Sequence, residues 1–317
     1  MIIKINFNDM VSIAKKIKEY ENIMRDQILH IAYSSREEVL NESLSINKNV
    51  IKISNEIKDR ILANKGKEKS HIDEYNRGQL TSSINVLFND NTIIVNYTLV
   101  LFSDYNEYKE NMENYNWSCD TVYRKDNKNH FEINIISPLI DSKIPSDRFE
   151  DSIFHEIAHV VEMIKRNGTL FNNKYNSDDY KESLKIISDN TRSREDRAVA
   201  TCLYVCRKYE RAGFVHGLYG TLYNYYDNRP KNIYRRFTAT KQYKYLKVLK
   251  MVMEEPAYYA DSIETIAHRD YVSFAMYLEK QYKKYMTAVG RVIYQIYNRN
   301  LGYTTEYCID FNNSNNK

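Results

Sequence analysis

The spacing of apolar residues changes twice along this chain, and that change limits the folds it can adopt. Up to about residue 80, and again after about residue 146, apolar side chains recur every three or four residues, which is typical of amphipathic helices. Between about 81 and 140 they alternate with polar residues, which indicates strands. Only 8 Gly and 4 Pro interrupt the 317 residues, so long helices are favoured over a turn-rich β protein. The pattern predicts an α+β fold.

The central region is predicted to form a small, mainly antiparallel sheet. Asn89-Asp90-Asn91 has the composition of a tight turn, and Lys125–Asn129 is a second polar connection. These connections define two hairpins, whose strands are Ile84–Phe88 with Thr92–Phe102, and Trp117–Arg124 with His130–Ser137.

The last strand is followed by a helix that begins near Asp147 and ends at Asn167-Gly168. Further helices are predicted at Asp178–Ser188, Ser193–Arg211, Thr240–Glu254 and Asp270–Arg299. We therefore divide the chain into an N-terminal helical segment (1–80), a subdomain of sheet and helix (81–168), a large helical C-terminal lobe (169–305) and a tail (306–317).

Composition and charge exclude several classes of protein. The net charge is only +4, which does not indicate a dedicated polyanion binder. The four cysteines form no C-x-x-C pair, and Cys202 and Cys206 are expected to stack on one helix face rather than form a disulfide. No signal peptide and no apolar run of roughly 18 residues is present, so we expect no membrane span. We expect a cytoplasmic protein, or one delivered without a signal peptide.

The segment Phe154–Glu162 contains the pattern H-E-x-x-H. On a helix, residues four apart lie on one face, so His155 and His159 can direct two imidazoles at one metal ion. Glu156 lies about 100° around the helix, where its carboxylate can reach a water on the metal without being a ligand. These residue types are those of a Zn²⁺ hydrolase in which Glu156 acts as general base.

The block FHEIAHVVE, preceded by a strand, resembles the zincin superfamily of metallopeptidases. The resemblance covers roughly residues 84–211 and implies a zinc-dependent metallopeptidase acting on protein or peptide substrates. It also implies an edge strand beside the active-site helix that binds extended substrate, and here the candidate is His130–Ser137. We expect replacing Ile133 or Ile135 by Pro to impair substrate binding while zinc stays bound.

The third zinc ligand is expected to be Glu195. No histidine follows the motif closely, which excludes the metzincin pattern, whereas Ser193–Ala198 fits the E-x-x-A form of gluzincins. Val199 stands where that family often has Asp. Glu195 is 36 residues past His159 and opens a helix whose next turns are small and apolar, so it can approach the motif helix. The alternatives left open are Asp196, Glu210 and His216.

Two further hypotheses concern the C-terminal lobe. Because gluzincins often use a late His or Tyr to stabilise the oxyanion, the resemblance makes His268 a candidate catalytic residue. Separately, residues 227–291 contain 13 Lys or Arg against 7 Asp or Glu, interleaved with tyrosines. This pattern suits nucleic acid or an acidic partner, so the alternative function is a non-catalytic zincin-like interaction protein. Amphipathic helices with basic outer faces would give the same pattern.

Overall fold

The computed structural model describes residues 7–34, 47–64, 69–75, 77–111, 119–123, 130–140, 143–144, 146–165, 178–223 and 229–300. These residues form an α+β fold in which one mixed sheet packs against helices, as the sequence predicts. The predicted tail 306–317 lies outside the described residues, as does the helix end at Asn167-Gly168. No helix in the described ranges is long and apolar enough to cross a membrane.

The sheet has five strands in the described part of the chain, in the order β1-β2-β3-β5-β4. Three of its four strand pairs are antiparallel, and only β3 and β5 run parallel. The expectation of a mainly antiparallel sheet is therefore confirmed. The strands are β1 (Lys69–Ile72), β2 (Gly78–Phe88), β3 (Asn91–Phe102), β4 (Cys119–Tyr123) and β5 (His130–Ile140).

Both predicted hairpins are present. Asn89 and Asp90 connect β2 to β3 with φ values of 47° and 60°, a left-handed pair that suits the twist of a two-residue hairpin turn. The second hairpin pairs β4 with β5 in the register Cys119↔Ile135 to Tyr123↔Phe131. Its connection, 124–129, lies outside the described residues.

The expectation that His130–Ser137 forms the edge of the sheet is wrong. This segment is the first part of β5, which pairs with β3 on one side and β4 on the other. Ile133 and Ile135 are buried in the core. Alternation of apolar and polar residues reports only that a strand has one buried face, so it does not distinguish an edge strand from an interior one. Among the described strands, β4 and β1 are at the edges.

The bounds of the helices largely match those predicted. The helices are α1 (Phe7–Ser34), α2 (Lys48–Ala63), α3 (Tyr105–Asn111), α4 (Ser146–Lys165), α5 (Asp178–Ser188), α6 (Arg194–Val205), α7 (Lys208–Tyr223), α8 (Pro230–Phe237), α9 (Lys241–Glu254) and α10 (Tyr271–Asn300). Of these, α2, α3 and α4 pack against the sheet. A 3₁₀ turn at Pro256–Tyr259 and a π-helical turn at Ile263–Ala267 join α9 to α10.

The predicted helix Ser193–Arg211 is in fact two helices. α6 ends at Val205, Cys206 caps it through its backbone N–H, and α7 begins at Lys208. Neither Gly nor Pro stands at 206 or 207, so the sequence carries no local signal for the break. Cys202 and Cys206 are buried free thiols, as expected. The break lets α7 take its own direction and pack against α4.

One large hydrophobic cluster joins most of the described elements, and a smaller one forms around Tyr108 of α3. α2 packs against α4 and β2, and α1 packs along α10. Buried side chains of both N-terminal helices belong to the same cluster as those of the sheet, α4 and the C-terminal helices. The N-terminal helices are therefore part of the scaffold behind α4, the helix that carries the H-E-x-x-H pattern.

Candidate metal centre

Two histidines lie on successive turns of α4 with their rings side by side. The ring centroids of His155 and His159 are 4.7 Å apart and the rings are nearly perpendicular. His159 is buried, and His155 is partly exposed toward a cavity. This is the arrangement that i, i+4 spacing on a helix predicts.

Helix α7 packs unusually close to α4 because three glycines face it. A Cβ on Gly213 would lie 2.6–2.7 Å from atoms of the His155 ring. A Cβ on Gly217 would lie 2.9 Å from the carbonyl oxygen of Asp151, and one on Gly220 would lie 2.7 Å from that of Glu150. Such separations are shorter than side-chain contacts normally allow. The glycines therefore let the backbone of α7 lie against α4.

The close packing brings the carboxylate of Glu210, on the first turn of α7, to both imidazoles. Its Oε2 lies 3.3 Å from Nε2 of His155, and its Oε1 lies 3.9 Å from Nε2 of His159. In a tetrahedral zinc site with bonds of about 2.0–2.1 Å, ligand atoms are roughly 3.3 Å apart. The separation from His155 matches that spacing and the separation from His159 is longer, so Glu210 is a candidate ligand beside the two histidines.

Burial and mutual charge set the protonation of these three groups. Burial and the charge of His155 lower the pKa of His159 to about 3, so His159 is neutral at neutral pH. Burial opposes ionisation of Glu210, yet its hydrogen bond with His155 and the charges of both histidines lower its pKa to about 2. Burial also disfavours protonated His155, but the hydrogen bond with Glu210 and the charge of Glu156 outweigh it and raise the pKa. Neutral His159 and ionised Glu210 are therefore in the forms that bind zinc, whereas protonated His155 must release its proton to bind it.

Glu156 lies beside this group, and its carboxylate is hydrogen-bonded to a residue of the sheet. The Thr121 hydroxyl, on β4, donates a 2.7 Å hydrogen bond to Oε2 of Glu156. A carboxylate oxygen of Glu156 also lies within 4.8 Å of ring nitrogens of His155 and His159. The structure thus brings His155, Glu156 and His159 together in a group that could hold a metal ion.

The structure places Glu195 away from the two histidines. Its Oε1 accepts a 2.7 Å hydrogen bond from the Tyr258 hydroxyl, and this bond lowers the pKa of the carboxyl group. α6 buries its small apolar residues against α5 and α9 rather than α4. The helix that packs against α4 is therefore α7, not α6. The third ligand that we propose is accordingly Glu210, in place of the expected Glu195.

The alternatives Asp196 and His216 are engaged elsewhere. Asp196 accepts a 2.7 Å hydrogen bond from Ser262. Nε2 of His216 accepts a 3.0 Å hydrogen bond from the backbone N–H of Asn47, and its Nδ1 lies 2.8 Å from the carbonyl oxygen of Ala212, to which it donates. Since both ring nitrogens are occupied, His216 ties the start of α2 to α7 and offers no lone pair to a metal.

His268, the expected oxyanion donor, lies apart from this centre. It is exposed, ends the π-helical turn with a φ of 51°, and does not line the cavity beside His155. That cavity has a volume of about 230 Å³. On the side away from α4, Tyr245 and Lys241 of α9 line it instead. Burial raises the pKa of the Tyr245 phenol, which therefore keeps its proton at neutral pH.

Sequence reasoning kept Glu210 only as an alternative to Glu195, and it did not consider Tyr245. A signal for Glu210 is present: Gly213, Gly217 and Gly220 follow it at helical spacing and mark a flat face that a neighbouring helix can approach. Tyr245 has no comparable signal, because it is one of 29 tyrosines.

Comparison of the chain with protein-family models, with curated proteins and with solved structures gave no match. The residues of the site, and their geometry, therefore carry the functional argument alone.

Proposed function

We propose that this protein is a zinc-dependent metallopeptidase whose zinc ion is bound by His155, His159 and Glu210. The observation that carries the proposal is the position of the Glu210 carboxylate, within 3.3 and 3.9 Å of the two Nε2 atoms. Two nitrogens and one carboxylate oxygen form a ligand set that leaves a fourth position for water or substrate, which is the arrangement of catalytic rather than structural zinc sites.

Zinc bound there would lower the pKa of water from about 15.7 to about 7 and polarise a carbonyl group. The chain supplies the other functions. Glu156, oriented by Thr121, accepts the proton of the attacking water and passes it to the leaving amine. The Tyr245 phenol, which lines the same cavity, donates a hydrogen bond to the oxyanion of the substrate, the role that the resemblance assigned to His268.

The sheet supports a peptide as the substrate. Thr121 belongs to β4, an edge strand among the described strands, and it contacts the general base directly. An extended peptide that adds to this edge through main-chain hydrogen bonds would run past Glu156 and the cavity. β4 thus takes the place that the sequence argument gave to His130–Ser137.

The structure favours this function over the alternative of a basic, Tyr-rich interaction protein. Tyr234, Tyr243, Tyr282 and Tyr285, which alternate with lysines and arginines in the sequence, are buried in the core. Bases would need exposed aromatic faces on which to stack. Amphipathic helices with basic outer faces account for the pattern.

The test is the variant Glu156→Gln beside the wild type, each loaded with zinc and incubated with a mixed peptide library read by mass spectrometry. Wild-type protein should cleave peptides. Glu156→Gln should bind the same amount of zinc but cleave peptides at least 100-fold more slowly, which is the effect of losing a general base. Glu162→Gln, six residues further along α4, is the matched control and should retain activity. Equal activity of Glu156→Gln and wild type would refute the proposed mechanism.

A further inference from the structure

A second cavity, of about 460 Å³, adjoins the one at the metal centre. The two cavities share Ser152 of α4 and Lys241 and Gln242 of α9. A group bound in the second cavity would therefore lie next to the proposed scissile bond. Its volume is in the range of cavities that bind small ligands and substrate side chains.

The charges that line the second cavity are mainly positive. Arg236, Lys241 and Lys244 line it, against one carboxylate, Asp151. That carboxylate is already neutralised, because Nζ of Lys241 lies 2.7 Å from its Oδ2 and Nε2 of Gln242 donates to its Oδ1. Lys244 is exposed and forms no ion pair with any residue that the structure describes. The N-terminus of α9 opens onto the same space and adds partial positive charge.

The walls of the second cavity are partly apolar. Ile136 and Pro138 of β5 and Phe149 of α4 line the cavity together with the cations. A side chain with a short aliphatic stem and a terminal carboxylate matches both surfaces, since the stem contacts the apolar wall while the charged end meets the cations.

Gln242, between the two cavities, has an unused acceptor. The residue is 1% exposed, and while its Nε2 donates to Asp151, its Oε1 has no hydrogen-bond partner within the described ranges. A buried acceptor without a partner is costly. The backbone N–H of a bound peptide would satisfy it at the point where the peptide passes from one cavity to the other.

From this geometry we infer that the second cavity is a specificity subsite that accepts an acidic side chain, Glu or Asp, adjacent to the scissile bond of the substrate. The inference rests on the proposed function, because a scissile bond exists only if the protein cleaves peptides. The binding of acidic peptides can nevertheless be measured without catalysis.

The experiment uses fluorogenic peptide pools in which one position is fixed as Glu, Gln or Lys and the others are mixed. Zinc-loaded wild type should cleave the Glu pool about tenfold faster than the Gln pool at one position, the value of a charged hydrogen bond in a partly exposed site. Lys244→Glu should abolish that preference or shift it toward Lys. Lys231→Glu makes the same charge change on an exposed residue of α8 outside the cavity, and it should keep the preference.

Equal rates for Glu and Gln pools at every position, or a Glu preference that survives Lys244→Glu, would overturn the inference while leaving the peptidase proposal intact. If no pool is cleaved, the peptidase proposal fails, and a binding measurement then tests whether the second cavity accepts acidic side chains. Labelled Glu and Gln pools would then be titrated into zinc-loaded wild type and Lys244→Glu by fluorescence anisotropy. Preferential binding of the Glu pool that Lys244→Glu removes supports an acid-binding site, and equal binding of both pools refutes it.

Discussion

Replacing Gly213 by Ala should weaken zinc binding although residue 213 touches no metal. The added Cβ would lie 2.6 Å from Cε1 of His155, about 0.8 Å short of the 3.4 Å at which ordinary van der Waals contact begins. Either the His155 ring moves or α7, which carries Glu210, moves away from α4. Zinc sites tolerate changes in ligand distance of about 0.2 Å. We therefore expect zinc affinity to fall about 10- to 100-fold, the range found when groups that orient metal ligands are changed.

The effect of Gly213→Ala on stability should be smaller than its effect on zinc. Overpacking a helix contact costs about 1–3 kcal/mol, and Ala in place of Gly within a helix recovers about 1 kcal/mol. Gly290→Ala is the matched control, because its Cβ would lie 2.5 Å from Cγ2 of Ile31 in the contact of α10 with α1. It should lower stability similarly but leave zinc affinity unchanged.

The assay for this prediction is competition for zinc with a chromophoric chelator, combined with urea unfolding of each zinc-free protein. Equal zinc affinity in Gly213→Ala and wild type, within a factor of about three (~0.6 kcal/mol), would refute the argument that close packing of α7 on α4 positions the ligands. The same loss of affinity in Gly290→Ala would show that overall stability, rather than local geometry, controls binding.

Two further predictions concern groups around the centre. Because burial lowers the pKa of His216 to about 4, from 6.5 in the unfolded chain, the unfolded chain takes up this proton first as pH falls, and stability is lost between pH 6.5 and 4. In urea unfolding of zinc-free protein between these pH values, His216→Gln should lose about 3 kcal/mol less stability than wild type. The control His71→Gln, on the exposed strand β1, should match wild type. Parallel pH profiles for His216→Gln and wild type would contradict this. Thr121→Val removes the hydroxyl that orients Glu156, so kcat/KM should fall roughly tenfold with zinc content unchanged, and unaltered kinetics would exclude an orienting role.

Local elements of this fold follow from the sequence because their signals are local. Helical spacing of apolar residues predicts α4 and the bounds of α5, α9 and α10 within a residue or two. Asn89-Asp90 predicts the β2–β3 turn, because Asn and Asp tolerate the left-handed backbone that such a turn requires. The pair His155 and His159 is fixed by the geometry of a single helix.

The third ligand and the order of strands could not be predicted in the same way, because both depend on contacts between distant segments. No Gly or Pro in the sequence indicates the break between α6 and α7. Glu210 follows this break, and it is the change of direction there that brings Glu210 to α4. Glu195 matched a family pattern, yet the helix that it opens packs elsewhere. Similarly, β5 lies inside the sheet because β3 pairs with it in parallel, and its own alternation does not reveal this.

The most direct test of the central claim is the zinc content of three proteins after dialysis: wild type, Glu210→Ala and Glu195→Ala. Wild type should retain about one zinc per molecule, as a site with three protein ligands does. Glu195→Ala should retain the same amount, since its carboxylate bonds to Tyr258, and Glu210→Ala should lose most of the metal. Full zinc occupancy in Glu210→Ala, with loss of zinc in Glu195→Ala, would contradict the account.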